Sequence, residues 1–133
     1  DACAALLASA TDCVIDDRNN RIIFVINPGE MGLAIGKSGA SIKKAMEVMG
    51  KRIEVVEYAQ NPEQFIRNCF LPAKVTSVVF EGEGDAQVAQ VEVREEDRGL
   101  AIGKEGKNIF KAKKLAQRQH NISDVLLVNN QQP

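Results

Sequence analysis

Shifting the chain by 67 residues lays Gly32-Leu-Ala-Ile-Gly-Lys-Ser-Gly-Ala-Ser-Ile-Lys-Lys-Ala45 over Gly99-Leu-Ala-Ile-Gly-Lys-Glu-Gly-Lys-Asn-Ile-Phe-Lys-Ala112, and ten of the fourteen positions are identical. Two copies are too few to stack into a solenoid, so the repeat implies a duplicated small domain. A chain of 133 residues has room for two such units, each with a thin core. The expected division is 1–60 for the first unit and 61–129 for the second, with a frayed tail at 130–133.

The flanks of the repeat follow one order. An apolar helical segment opens each copy, Ala2 to Ala8 and Pro62 to Phe70, and Asn61-Pro62 suits a helix cap followed by a first helical residue. Two β-rich runs come next: Cys13 to Ile15 and Ile22 to Ile26 in the first copy, Val75 to Phe80 and Val88 to Val93 in the second. Asp16-Asp-Arg-Asn-Asn20 and Glu81-Gly-Glu-Gly-Asp85 supply the turns between them. A short helix then ends at a glycine loop, a longer helix follows, and a last strand closes the copy at Arg52 to Glu57 or Asp124 to Val128. Ile42, Ala45, Met46 and Met49 give the longer helix an apolar stripe; Lys113 stands in place of Met46 in the second copy. This order predicts an α+β fold in which each half is a three-stranded sheet covered on one face by helices.

A Gly-Lys-x-Gly loop between two helices has a definite chemistry. It brings bare backbone N–H groups to a helix start, where the helix dipole favours an anion. Glycine lets a phosphodiester approach without meeting a Cβ. Lys37 and Lys104 add a mobile cation. A helix corner also needs glycine for its turn alone, but two copies with the same glycine spacing, lysine and flanking isoleucine favour phosphate contact.

The charge distribution agrees. The net charge is only −1, yet residues 36–52 carry Lys37, Lys43, Lys44, Lys51 and Arg52 against Glu47, a local +4. Residues 103–120 carry Lys104, Lys107, Lys111, Lys113, Lys114 and Arg118 against Glu105, a local +5. The remainder of the chain is therefore strongly acidic. Such polarity suits a polyanion on one side, with affinity that falls as salt rises.

Other chemistries are poorly served. A nucleotide-binding P-loop needs four residues between its first glycine and Gly-Lys, but Gly32 and Gly36 enclose only Leu33, Ala34 and Ile35. Glu105 stands where a magnesium-binding hydroxyl belongs. His120 is the single histidine and reads as a surface or helix-end residue; Glu95, Glu96 and Asp97 read as helix-start charges. Cys3, Cys13 and Cys69 lack the spacing of a zinc site or a disulfide framework and read as buried apolar residues in a reducing compartment. The chain is expected to be no enzyme and to need no metal or cofactor. No apolar run approaches the roughly 18 residues of a membrane span, and a cytoplasmic location is expected.

Gly-Lys-Ser-Gly and Gly-Lys-Glu-Gly, each within Gly-Leu-Ala-Ile-Gly-Lys after a β-run, resemble the loops of KH domains. The extra helix and strand ahead of the core resemble the type II form. Two joined copies, with Phe24-Val-Ile-Asn-Pro-Gly-Glu-Met in the first and Asn61-Pro-Glu-Gln-Phe-Ile-Arg-Asn at the connection, resemble the archaeal NusA family of transcription factors. The resemblance implies tandem type II KH domains that hold single-stranded RNA between the loop with its two helices and an edge strand. Each KH clamp takes about four backbone nucleotides. Gly36, Lys37, Ser38, Gly39, Gly103, Lys104, Glu105 and Gly106 would contact the RNA backbone, with Lys43, Lys44, Lys107 and Lys111 as further cations. Ile35, Ile42, Ile102 and Ile109 would floor the groove under the bases, although plain core packing explains their periodicity equally well. With Tyr58 and five phenylalanines as its aromatics, the chain lacks the stacking platforms of RRM and OB modules.

The resemblance implies action on nascent transcript in transcription elongation, termination and antitermination, with RNA polymerase as a further candidate partner. The competing expectation is a protein-interaction adaptor of polymerase or ribosome with degenerate KH folds.

Overall fold

The structure is a computed structural model that describes residues 2–128. The tail expected to fray at 130–133 lies outside the described residues. The chain forms two compact units, Asp1–Ala59 and Gln60–Pro133.

The first unit runs α1 (Ala2–Ser9), β1 (Ala10–Asp16), β2 (Arg21–Ile26), α2 (Met31–Ile35), α3 (Ala40–Met49) and β3 (Arg52–Glu57). The second repeats the order as α4 (Pro62–Phe70), β4 (Val75–Glu81), β5 (Val88–Val93), α5 (Arg98–Ile102), α6 (Lys107–His120) and β6 (Asp124–Leu127). Each sheet places its second strand in the middle, antiparallel to the first and parallel to the third. A hairpin can join an antiparallel pair, but a parallel pair needs a crossover. That crossover is the pair of helices on either side of each glycine loop.

Local chemistry explains the elements. The Asn61 side chain accepts the Gln64 N–H at 3.0 Å, and Pro62 takes the first helical position of α4. Gly50 ends α3 and Asn121 ends α6, both in the left-handed region. Strand β1 begins earlier than Cys13, because the ladder continues through an irregularity between Ala10 and Asp12 opposite β2. The same irregularity recurs between Val75 and Ser77 in β4.

In the first unit Leu6, Phe24, Ile26, Ala34, Ala45 and Ile53 form a buried cluster, with Ile42, Met46 and Met49 of α3 packed against it. In the second, Phe65, Ile66, Cys69 and Phe70 of α4 are buried, as are Ala112, Leu115 and Ala116 of α6 and Ala89, Val91 and Val93 of β5. The His120 ring closes α6 with its centroid 5.3 Å from that of Phe65. The cysteines are not uniformly buried: Cys69 is, Cys3 is half-buried and Cys13 is exposed. Alternation along β1 buries Val14 and Asp16 and turns Cys13 and Ile15 outward. Burial pushes the Cys69 thiol up to about 12, against the opposing charge of Lys111, so it is an inert apolar group at neutral pH.

One polar cluster is specific to the first sheet. Arg21 is fully buried; its Nε donates to Asp16 Oδ2 at 2.7 Å and its Nη1 to Glu54 Oε1 at 3.2 Å. By strand register the second sheet has Val88 and Leu126 in place of Arg21 and Glu54. Burial raises the Asp16 carboxyl, but hydrogen bonds from the Asn19 side chain and Arg21 outweigh it and hold Asp16 below the usual carboxylate value. Asp97 is held low as well, first by the Lys74 backbone N–H at 2.9 Å, then, against some burial, by Arg94.

Removing Arg21 leaves two acids at a buried site without their guanidinium. Arg21→Ala is expected to cost about 3–5 kcal/mol in urea denaturation, the range for breaking a buried ion pair. Both carboxyls titrate lower in the folded state than unfolded. Their contribution is therefore complete above the ordinary carboxylate range near pH 4 and is lost as pH falls through the lower folded values. Melting temperature against pH checks this; Asp97→Asn is expected to flatten the acid limb.

Candidate nucleic-acid interface

Each crossover turns its corner on the glycine loop. Gly36 ends α2 with φ 78°, ψ 170° and donates its N–H to Gly32 O at 2.9 Å. A turn over Lys37–Gly39 follows, in which Ser38 has φ 54° and Gly39 φ 77°, and α3 begins at Ala40. The second loop has nearly the same trace: Gly103 φ 78°, ψ 165°, Glu105 φ 57°, Gly106 φ 74°, with the Gly103 N–H to Gly99 O at 2.9 Å. The exchange of serine for glutamate leaves the backbone unchanged. The glycines set the turn, and the side chain between them points away from it.

The two glycines of each loop have different reasons. A Cβ on Gly36 would overlap the Ser41 side chain and come within 2.8 Å of the Ser41 backbone nitrogen; one on Gly103 would lie 2.8 Å from the Asn108 nitrogen. Here the loop folds tightly onto the next helix. In the second copy Asn108 Nδ2 also donates to Leu100 O at 2.7 Å, fastening α6 to α5. A Cβ on Gly39 or Gly106 would meet only ordinary contacts, 3.8 Å from Lys43 Cε and from Ile109 Cγ2 respectively. Those glycines are required by positive φ alone, and a Cβ there would meet no clash. The repeat's small polar residue at Ser41 and Asn108 carried the signal for this fastening, which the motif by itself did not.

The helices that start here carry no side-chain cap at their N-termini, α3 at Gly39 and α6 at Gly106. The dipoles of 10 and 14 residues therefore present their positive ends at the loops. Lys37, Ser38, Lys104 and Glu105 are exposed, and the four loop glycines are half-buried. Lys43 and Lys44 are exposed on α3, Lys44 with Glu47 at 3.9 Å. Lys107 is half-buried in the first turn of α6.

Lys111 departs from the expectation of an accessible cation. It is buried, 7% exposed, and its charge acts on Cys69 of α4. It occupies the face of α6 that packs on α4, whereas its counterpart Lys44 is exposed. The isoleucines divide as well. Ile42 packs against the core cluster, Ile35 and Ile109 are half-buried, and Ile102 is 37% exposed beside Gly103. Leu33 and Leu100, at the same position of the two short helices, are 67% and 46% exposed and were not singled out by periodicity.

A family model for the NusA-like second KH domain matches residues 62–129, and one for the KH domain matches residues 7–80. The probable transcription termination protein NusA of Halobacterium salinarum is 42% identical over 120 residues, covering 90% of this chain and 84% of the relative. The chain belongs to the NusA family. The probable NusA of Methanocaldococcus jannaschii is 35% identical over 121 residues, which are 90% of this chain and 65% of that protein. Among solved structures, the crystal structure of APE1850 matches with a TM-score of 0.79 and 37% identity, over 90% of this chain and 86% of that one. Each unit is accordingly a KH domain of a NusA-family chain, with a Gly-Lys-x-Gly loop at the corner of its parallel crossover. No described helix is long and apolar enough to cross a membrane.

Substitutions at the four loop glycines fall into two ranks. Gly39→Ala and Gly106→Ala are expected to cost about 1–2 kcal/mol, the penalty of a left-handed conformation for a residue with a Cβ. Gly36→Ala and Gly103→Ala add an overlap of about 1–3 kcal/mol. Urea denaturation of the four variants should therefore separate them into two pairs by position in the loop, not by domain.

Proposed function

We propose that this chain holds single-stranded RNA by its sugar-phosphate backbone at the two Gly-Lys-x-Gly loops, and that it acts on nascent transcript in transcription termination and antitermination. The observation that carries the reading is the repeated loop geometry. In both domains the last glycine of the loop, with nothing nearer than 3.8 Å to where its Cβ would be, sits at the uncapped positive end of a helix, beside an exposed lysine. A phosphodiester can use all three at once: close approach to bare backbone, the helix dipole and a mobile cation. The relatives' name as transcription termination proteins supports the setting; RNA polymerase as the neighbouring machinery and the cytoplasm as the place are part of the same proposal.

In this reading Gly36, Lys37, Ser38 and Gly39 form the first clamp, with Lys43 and Lys44 beside it. Gly103, Lys104, Glu105 and Gly106 form the second, with Lys107. Burial removes Lys111 from the contact set. Ile35, Ile42, Ile102 and Ile109 line the apolar side, of which Ile102 is the most accessible. At about four nucleotides per clamp, the tandem covers on the order of eight or more. Glu105 places a carboxylate where a phosphate would lie, so the second clamp is expected to draw less on charge than the first.

Replacing Lys37-Ser38 by an Asp pair, and separately Lys104-Glu105, tests the assignment. The first change takes a solvent-exposed turn from a charge of +1 to −2, the second from 0 to −2. Single-stranded RNA binding should weaken on the order of tenfold or more for the first pair, and less for the second, with circular dichroism unchanged. Unaltered affinity in a folded double variant carrying both pairs would sink the clamp assignment.

A further inference from the structure

Phe110 is the aromatic that the fold leaves in solvent. Phe24, Phe65 and Phe70 are at most 1% exposed and Phe80 is half-buried, whereas Phe110 is 44% exposed on α6. An exposed phenylalanine on a lysine-rich helix contributes little to a core. Its position relates it to the glycine loop. Phe110 lies four residues after Gly106, as Lys43 lies four residues after Gly39, and Lys43 Cε comes 3.8 Å from where a Cβ on Gly39 would be. Phe110 holds the matching helical position one turn after the last glycine of its loop, with its ring more than 4 Å from where a Cβ on Gly106 would be. Side chains on a helix lean toward its N-terminus, which carries the Phe110 ring toward the loop as well.

The surroundings are cationic. Lys107 is one turn before Phe110, and Lys113 and Lys114 are three and four residues after it, all neighbours on the helix surface. Lys113 also pairs with Asp124 at 3.3 Å. The two domains differ here in a consistent direction. The first surrounds its loop with exposed Lys37, Lys43 and Lys44. The second has Glu105 in place of Ser38, Phe110 in place of Lys43, and Lys111 buried in place of Lys44. It has less accessible charge at these three matched positions, carries Lys107, Lys113 and Lys114 in place of Ala40, Met46 and Glu47, and has gained one exposed aromatic.

We propose that Phe110 is a base-stacking residue of the second clamp, seating a nucleobase of the single-stranded RNA whose backbone lies on Gly103–Gly106. The proposal rests on the RNA-binding reading above and assigns a different mode to each domain. The first holds the backbone by charge alone, and the second adds a stacked base to its charge. A flat apolar ring flanked by lysines matches a ligand that presents π faces and phosphates together. Stacking tolerates any base, because every base has a π face. It also responds little to salt, whereas each lost phosphate contact lowers the salt slope by about 0.7 on a single strand.

The test uses the full 133-residue chain and a random-sequence pool of single-stranded RNA oligomers of about 12 nucleotides, with an abasic ribose-phosphate oligomer of equal length. Phe110→Ala is expected to weaken RNA binding about tenfold with the slope of log affinity against log salt unchanged. Phe110→Trp should retain the affinity. Lys43→Ala should instead reduce the slope by about 0.7. On the abasic oligomer Phe110→Ala and the wild type should bind alike. Equal affinity of wild type and Phe110→Ala for RNA would overturn the proposal while leaving the clamps standing. So would an equal loss on the abasic oligomer, or a loss confined to self-association of the chain measured by sedimentation. Failure of the wild type to bind the RNA pool at all would instead overturn the RNA-binding reading and this proposal with it. Because Phe110 is exposed, melting of the alanine variant should match wild type, which keeps a binding loss from being read as unfolding.

Discussion

The parallel pairing of β2 with β3, and of β5 with β6, is the constraint on which the remainder depends. Parallel neighbours cannot be joined by a hairpin, so the chain must leave the sheet, cross its face and return. In each domain the crossing is made by two helices, and the crossing must bend between them. Gly36 and Gly103 allow that bend, because the following helix passes so close that a Cβ would collide with Ser41 or Asn108. The corner that closes the fold is thus also the place where uncapped helix ends and exposed lysines gather. Fold and candidate site are not separable parts here. A change at the first glycine of a loop affects both, whereas one at the exposed residue between the glycines affects the site alone.

Much of this was legible in the residues. The duplicated Gly-Leu-Ala-Ile-Gly-Lys fixed both the domain type and the loops, since ten identities in fourteen positions leave little room for different folds. The elements with strong local signals are where they were expected. Pro62–Phe70, with Asn61 as its cap, Val88–Val93 and Arg52–Glu57 have the expected bounds. β1 is the exception: its first residues are small or polar, and only the ladder against β2 makes them strand. Pairing partners, not local propensity, set that boundary.

What could not be read from sequence depends on which neighbour a helix face meets. Lys44 and Lys111 are equivalent in the repeat, yet one is exposed and the other buried against α4. Local charge counts treat them alike. Cys13 reads as apolar, but strand alternation turns it outward. Arg21 opens β2 and gives no sequence sign that it will be buried with Asp16 and Glu54, because those partners come together only through the register of two neighbouring strands. Phe110 is the converse case, a large apolar residue in a helix that packing leaves in solvent.

The two domains thus share a backbone device with an exposed lysine and differ in what they place around it: Ser38, Lys43 and an exposed Lys44 in the first, Glu105, Phe110 and a buried Lys111 in the second. The most direct test of the central claim is to follow the backbone amides of the 133-residue chain by NMR during titration with short single-stranded RNA. The largest shifts are expected at Gly36–Gly39 and Gly103–Gly106 and in the first turns of α3 and α6. Shifts concentrated elsewhere, for instance on the acidic turn from Glu81 to Asp85, with both loops unmoved, would contradict it.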